Sequence, residues 1–534
     1  MRSPAVLTLA LGAFVVLGCT GVIGSEHGAE PPNLAAPTPP SFGVDGGLPI
    51  EPGIDGGQAP MTDAGQPPPP DCNPATAPPM AVRSLRISDV TINQGVSVPV
   101  VDNAAPVNNR VAPVIADRDG VMRVFVEPQA DWQTRDVIAR LTLNGSPRET
   151  QIQVTGASSA TTLASTINFG LGPGELAVSS TFSVELLEVD PCGTYAGTVS
   201  GSRYPATSTQ SLNAVAAPGP FRIVLVPVRY QADGSNRTPN TDGVTVARFT
   251  QRMYGMFPLA DFEVSVRQSP LDFDRAISAD GGGWTDLLNE CLSIRAADNA
   301  SPNTYYYCAV RPSDNLGDFC GGGCVAGIGP VPSAGDTFNR GALGLLYSDD
   351  LDTFVHEIGH SLGLPHAPCG VPGDPAFPYS NGGIGVLGFD RGAQALISTQ
   401  YRDVMGYCDP VWISDYNYDK LYDRLVSVTA QSVAVLKSVG SPLAFRPVLI
   451  DIDGTLTIGE TLWADDAPLG EPVTIEWVDE AGHSEEVVAI LVRVTHVPGG
   501  IIYVPEMPNP PATIRVRVTG PPGLANSMVR EAQE

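Results

Sequence analysis

The segment His356-Glu357-Ile358-Gly359-His360-Ser361-Leu362-Gly363-Leu364-Pro365-His366 gathers three of the chain's six histidines into one short stretch. Meeting its five fixed positions by chance has a probability on the order of one in a hundred thousand or less. On a helix turning 100° per residue, Leu351, Phe354, Val355, Ile358 and Leu362 fall on one side, while His356 and His360, one turn apart, fall on the other. Imidazoles so placed converge on a single metal ion, which takes neutral nitrogens at about 2.0–2.1 Å. A continued helix would carry His366 about 9 Å further along the axis and off that face. Gly363, free to adopt positive φ, breaks the helix and lets His366 return as a third ligand. Three protein ligands leave a fourth position for water, as in a catalytic zinc site. Glu357 projects beside the pair, where it can take a proton from zinc-bound water and deliver it to a leaving amine. Amide hydrolysis is the chemistry this set suits.

The motif resembles that of the metzincin zinc metallopeptidases. The resemblance implies one catalytic Zn2+ held by His356, His360 and His366, with Glu357 as general base and acid. It also implies a downstream turn, Asp403-Val404-Met405-Gly406-Tyr407-Cys408, whose Met405 lies beneath the metal and whose Tyr407 stabilises the oxyanion. A Cys369–Cys408 disulfide would brace such a site, because both cysteines would flank one metal. The likeness extends over residues 216–440. It implies strands at Phe221 to Val228, Phe262 to Val266, Tyr305 to Val310 and Ala342 to Tyr347, and helices at Val244 to Phe257 and Trp284 to Ile294. An edge strand near Val325 to Val331 would hold extended substrate by β-addition, with Gly327 to Val331 as the main-chain clamp. Ala367 replaces the Asp, Glu or Ser that follows the motif in several branches, which leaves the subfamily open. Ala367-Pro368-Cys369-Gly370 and Phe377-Pro378-Tyr379 resemble bacterial secreted members, including relatives of mucin-cleaving enzymes.

The ends of the chain indicate where such chemistry would take place. Met1-Arg2 precedes an apolar stretch from Ala5 to Leu17, too short to stay in a bilayer as a spanning helix. The ending Val16-Leu17-Gly18-Cys19 resembles a lipobox, so residues 1–19 read as a lipoprotein signal with Cys19 as lipid carrier. Thr20 is not the Asp associated with inner-membrane retention, which points to an outer-membrane or cell-surface location. Residues 20–80, dominated by Pro, Gly, Ala and Asp, read as a disordered stalk. Among nine cysteines, the eight besides Cys19 form an even set suited to disulfides in an exported protein. Cys72 and Cys192 would pair, a better reading of Pro191-Cys192-Gly193 than a zinc-blocking cysteine. Cys291, Cys308, Cys320 and Cys324 read as disulfide cysteines and not as a second metal site.

Short Val, Ile, Thr and Leu runs between turn signals predict an antiparallel β-sandwich over residues 81–215 and a second, smaller one over 441–534. Between them, 216–440 alternates strand-like and helix-like patterns. Asp451-Ile452-Asp453-Gly454 reads as a strand-turn and not as a calcium loop. His27, His483 and His496 read as ordinary surface or turn residues. With 57 acidic against 30 basic residues, the formal charge of -27 repels phosphate backbones and excludes nucleic acid as a partner.

The expected protein is therefore multidomain: an α+β metzincin-like domain flanked by two β-sandwiches. It would be a lipid-anchored, extracytoplasmic zinc endopeptidase acting on extracellular protein or glycoprotein. The rival reading is a surface adhesin, or a glycan- or protein-binding lipoprotein, with a minor or latent peptidase domain.

Overall fold

The computed structural model describes residues 72–75, 77–348, 350–435, 442–479, 481–507, 511–517 and 529–533. The expected signal, Cys19, His27 and the stalk as far as residue 71 lie outside them. Among the described residues no helix is long and apolar enough to cross a membrane.

From Met80 to Ser211 the chain forms two antiparallel sheets. One runs Met80–Ala81, Thr181–Glu188, Arg135–Leu143, Ser146–Val154, with short strands Arg203–Tyr204 and Gln210–Ser211 also on Thr181–Glu188. The other runs Ala105–Pro106, Ser97–Asp102, Leu85–Asn93, Gly120–Pro128, Ile167–Leu171. Period-two patterning drives these strands: Val137, Ala139, Leu141 and Leu143 are buried while Ile138, Arg140 and Thr142 between them are partly exposed.

The middle region is built on a mixed sheet in the order Phe262–Val266, Phe221–Tyr230, Thr304–Val310, Gly341–Leu345, Gly327–Ile328. The first four are parallel, and the last, at the edge, is antiparallel to Gly341–Leu345. Parallel neighbours need crossovers, supplied by the helices Gly243–Met256 and Trp284–Ala297. Asp242 caps the first by accepting from the Thr245 amide at 2.9 Å. Most of the strands and helices expected here occur within a residue or two of their expected bounds; the edge strand is shorter, two residues long. The strand Thr304–Val310 is buried on both faces, as parallel strands are. Its Tyr305, Tyr307 and Ala309 join one core with Phe249, Met253 and the motif helix, whereas Tyr306, Cys308 and Val310 join another with Trp284, Leu287 and Leu288.

Each flanking β-region enters one of those cores. Val90, Ile92, Val96 and Val98 share the first core with Phe354, Ile358, Met405 and Trp412. Phe445, Leu449, Ile501 and Tyr503 share the second with the helix Trp284–Ala297. The C-terminal region departs from the two facing sheets expected of a sandwich. It is one eight-stranded antiparallel sheet in which Glu471–Asp479 pairs with both Ser484–Arg493 and Pro511–Arg517. The sheet curls until Leu456–Ile458 meets Val529–Gln533, closing over its own core of Ile475, Trp477, Ala489, Ile502 and Ile514. Continuous pairing along long strands favours one curled sheet over two stacked ones. Asp451 to Gly454 forms the expected turn, with the Gly454 amide on Asp451 O at 2.8 Å.

Among the described residues four disulfides are formed: Cys72–Cys192, Cys291–Cys308, Cys320–Cys324 and Cys369–Cys408. The expected Cys72–Cys192 and Cys369–Cys408 pairs are among them, and the other four cysteines form disulfides as well.

Candidate active site

The motif helix, Leu351–Ser361, packs Phe354, Val355 and Ile358 into the core as the periodicity predicts; Leu351, at its start, is partly exposed. It ends at Gly363, whose φ of +86° is reached at little cost only by glycine. The Gly363 and Leu364 amides close the helix onto His360 O and Gly359 O at 2.7 and 3.0 Å. The chain then turns back and brings His366 to the pair.

His356 Nδ1 lies 2.7 Å from Val404 O, and His360 Nδ1 lies 2.7 Å from Leu364 O. A carbonyl can only accept, so each Nδ1 carries the proton and each Nε2 presents a lone pair. Those lone pairs face one another: His356 Nε2 is 3.0 Å from His360 Nε2, which is 3.1 Å from His366 Nε2. Burial pushes His356 and His366 down to about 3 and His360 further below its ordinary value, so all three rings are neutral. Facing lone pairs repel unless a cation lies between them. Zinc takes nitrogens at about 2.0–2.1 Å, and three that share one ion are neighbours at about the spacing seen. The residues therefore fit a zinc ion.

The segment Asp403 to Cys408 runs beneath the helix. Met405 is fully buried, and a Cβ at Gly359 would lie 2.5 Å from its Sδ, so the close approach requires glycine. Asp403 shapes this turn by accepting from the Met405 amide at 2.8 Å and from the Ser414 amide and Asn417 Nδ2 at 2.9 Å. The Ala367 amide donates to Met405 O at 2.9 Å and the Tyr407 amide to Cys369 O at 2.8 Å, which aligns Cys369 with Cys408. The Tyr407 ring lies 5.2 Å from that of His366, and burial raises its phenol well above the ordinary value, keeping it protonated.

Glu357 is 2% exposed, and burial pushes its carboxyl up to about 8. Its Oε2 has no hydrogen-bond partner. Glycines on the edge strand make room for it: a Cβ at Gly327 would lie 2.6 Å from Glu357 Cγ.

The structure corrects the reading of His496 as an ordinary surface or turn residue. It sits between the strands Ser484–Arg493 and Gly500–Pro505 of the C-terminal sheet, with its side chain 12% exposed. One ligand nitrogen from each of His356, His360, His366 and His496 lies within 4.8 Å of the others. Tertiary docking brings it there, and its only sequence signal is scarcity, as one of six histidines. His483 does lie in an exposed turn, on Asp479.

The three histidines of the motif, two buried and one partly exposed, form with His496 a group that could hold a metal ion. The model of a family described as Peptidase M66 matches residues 296–409, which span the edge strand, the motif helix, Met405 and Tyr407. That similarity supports a peptidase function, and M66 peptidases are metallopeptidases. No curated protein matches this chain. A solved structure titled "Structure of a chaperone-substrate complex" aligns at 12% identity over 52% of this chain and 40% of that one, with a TM-score of 0.24. A likeness that slight says nothing about fold or function.

Proposed function

We propose that the chain is a zinc-dependent endopeptidase of the metzincin type. It would act on extracellular protein or glycoprotein and be held at the bacterial cell envelope, at the outer membrane or cell surface, by a lipid on Cys19. The observation that carries the reading is the convergence of three Nε2 atoms, 3.0 and 3.1 Å apart, beside the buried Glu357. His356, His360 and His366 would hold the ion. A zinc ion bound there supplies Lewis acidity, which activates water near neutral pH and polarises a peptide carbonyl.

The chain's own side chains do the rest. Glu357 takes a proton on its free Oε2 and returns it to the leaving amine nitrogen. A carboxyl raised towards neutrality by burial suits both halves of that transfer, and a nearby dication favours its ionised form. Tyr407, kept protonated by burial, offers its O–H to the negative charge that develops on the carbonyl oxygen. Met405 and Asp403 fix the floor of the site. The intact Glu357 weighs against the adhesin reading, since loss of that carboxylate is an easy route to a silent scaffold.

The test is metal analysis of the purified protein with peptide hydrolysis followed through chelation and zinc return. One zinc per chain is expected, with cleavage lost on chelation and restored by zinc. Folded protein that binds no zinc, or cleavage indifferent to chelation, contradicts the reading. Mass spectrometry of the membrane-extracted protein should find a lipid-modified Cys19, and an unmodified N-terminal peptide upstream of it would refute the anchor.

A further inference from the structure

The loop that carries His496 is seated on the groups that would receive substrate. Val494 pairs antiparallel with Pro330, next to the edge strand Gly327–Ile328. The Thr495 amide donates to Gly329 O at 2.9 Å, and the Gly329 amide donates to Thr495 Oγ1 at 3.0 Å. Both main-chain groups of Gly329 are thus taken by this chain's own hairpin, in the manner of an added strand.

The next residue turns into the site. His496 has φ +66°, a left-handed conformation that a β-substituted residue adopts at a cost. That turn places its ring 5.2, 5.3 and 4.9 Å from the rings of His356, His360 and His366. A ring nearly equidistant from all three caps their triangle. Tyr407 Oη lies against His496 Nδ1; in the tautomer that donates from Nδ1 to the phenol oxygen, Nε2 carries the lone pair that a metal ligand needs. His496 Nε2 is 3.1 Å from Glu357 Oε1 but has no hydrogen-bond partner. A buried, unpartnered imidazole nitrogen above three converging lone pairs is a fourth ligand in waiting. Four protein ligands close a zinc site, whereas three leave it open for chemistry.

We propose that His496 is a fourth protein ligand of the metal, and that the hairpin around Val494–His496 occupies the substrate edge, so that this state of the protein is closed and cleavage requires the hairpin to leave. The inference rests on the proposed zinc site and adds to it the element that shuts it. Tyr407 and Glu357, which face His496, are the side chains released for substrate when it departs.

The test uses the whole protein with His496→Gly and His496→Asn. Both residues tolerate the left-handed backbone, so the fold is retained, and Asn keeps a polar group in place of the imidazole. Zinc affinity is measured by chelator competition, and binding of acetohydroxamate, a small ligand that needs an open position, by titration of the cobalt-substituted protein. The expected result is zinc affinity weakened about ten-fold or more in both variants, hydroxamate binding tightened to a similar degree, and faster peptide cleavage than wild type. Unchanged zinc affinity and unchanged hydroxamate binding would overturn the proposal while leaving the three-histidine site standing. So would cleavage that falls in both variants with zinc affinity unchanged, since His496 would then serve the reaction. Failure of wild type and variants alike to bind one zinc per chain would refute the zinc site itself.

Discussion

The two β-regions that flank the catalytic sheet meet it on different terms. The N-terminal sheets reach the middle region from below the motif helix. Trp412 Nε1 donates to Gly95 O at 2.8 Å, Tyr418 Oη to Gln94 O at 2.9 Å, and the Phe389 amide to Gly95 O at 2.9 Å. The buried Arg118 guanidinium donates to the carbonyls of Gln94, Tyr254 and Leu259. None of these bonds involves His356, His360, His366 or His496. The C-terminal sheet packs on the opposite core and sends one hairpin into the candidate site, where Thr495 holds the edge and His496 faces His356, His360 and His366. One appendage braces and the other participates. Shared burial alone does not tell the two apart; what separates them is which polar groups they satisfy.

That contrast can be broken by substitution. The largest effect is expected at the brace. Trp412→Ala empties a fully buried indole site and removes one of the two donors to Gly95 O, which should cost about 3–5 kcal/mol in denaturant unfolding. A loss well below that would mean the N-terminal sheets are docked loosely. Next is the disulfide that aligns the His366 loop with the Met405 turn. Cys369→Ser with Cys408→Ser reopens a loop of sequence separation 39 and should lower stability by about 2–4 kcal/mol, with zinc retention weakened in a chelator competition. Unaltered zinc retention would show that the turn holds its place without the bridge. Arg118→Met removes donors from two carbonyls across the N-terminal interface, those of Tyr254 and Leu259, and from Gln94 O on its own side, and should cost about 2 kcal/mol by thermal unfolding. The smallest stability effect falls on the participating side. Thr495→Val keeps the shape but orphans the Gly329 amide, at about 1 kcal/mol or less because substrate or water can reach the edge. Its signature is faster hydrogen exchange at Gly329 and a lower KM for peptide. An equal loss of stability in Thr495→Val and Trp412→Ala would erase the distinction between the two regions.

Much of this centre was legible in the sequence because its parts are local. The helix spacing of His356 and His360, the break at Gly363 and the return of His366 depend on residues within one short segment. The parallel strands announce themselves as apolar runs because both of their faces are buried, as in Thr304–Val310. Met405, Tyr407 and the Cys369–Cys408 pair came from family resemblance, and the structure places them together. What escaped is long-range. Alternation in Glu471–Asp479 and Ser484–Arg493 says that one face is buried, but it does not say whether that face meets a second sheet or the same sheet curled round. His496 reaches Glu357 only because Phe445, Ile501 and Tyr503 dock the C-terminal sheet against the helix Trp284–Ala297. No periodicity around Thr495-His496-Val497 reports that docking.

If Glu357 and the three histidines form a working peptidase centre, cleavage needs both the carboxylate and the metal. The most direct test of that requirement is a proteome-derived peptide library incubated with the protein, with the protein plus a zinc chelator, and with Glu357→Gln, each read by mass spectrometry. New termini are expected in the first sample, with their loss by about 100-fold or more in the other two while Glu357→Gln still binds zinc. Cleavage that persists in Glu357→Gln at the wild-type rate would contradict the requirement.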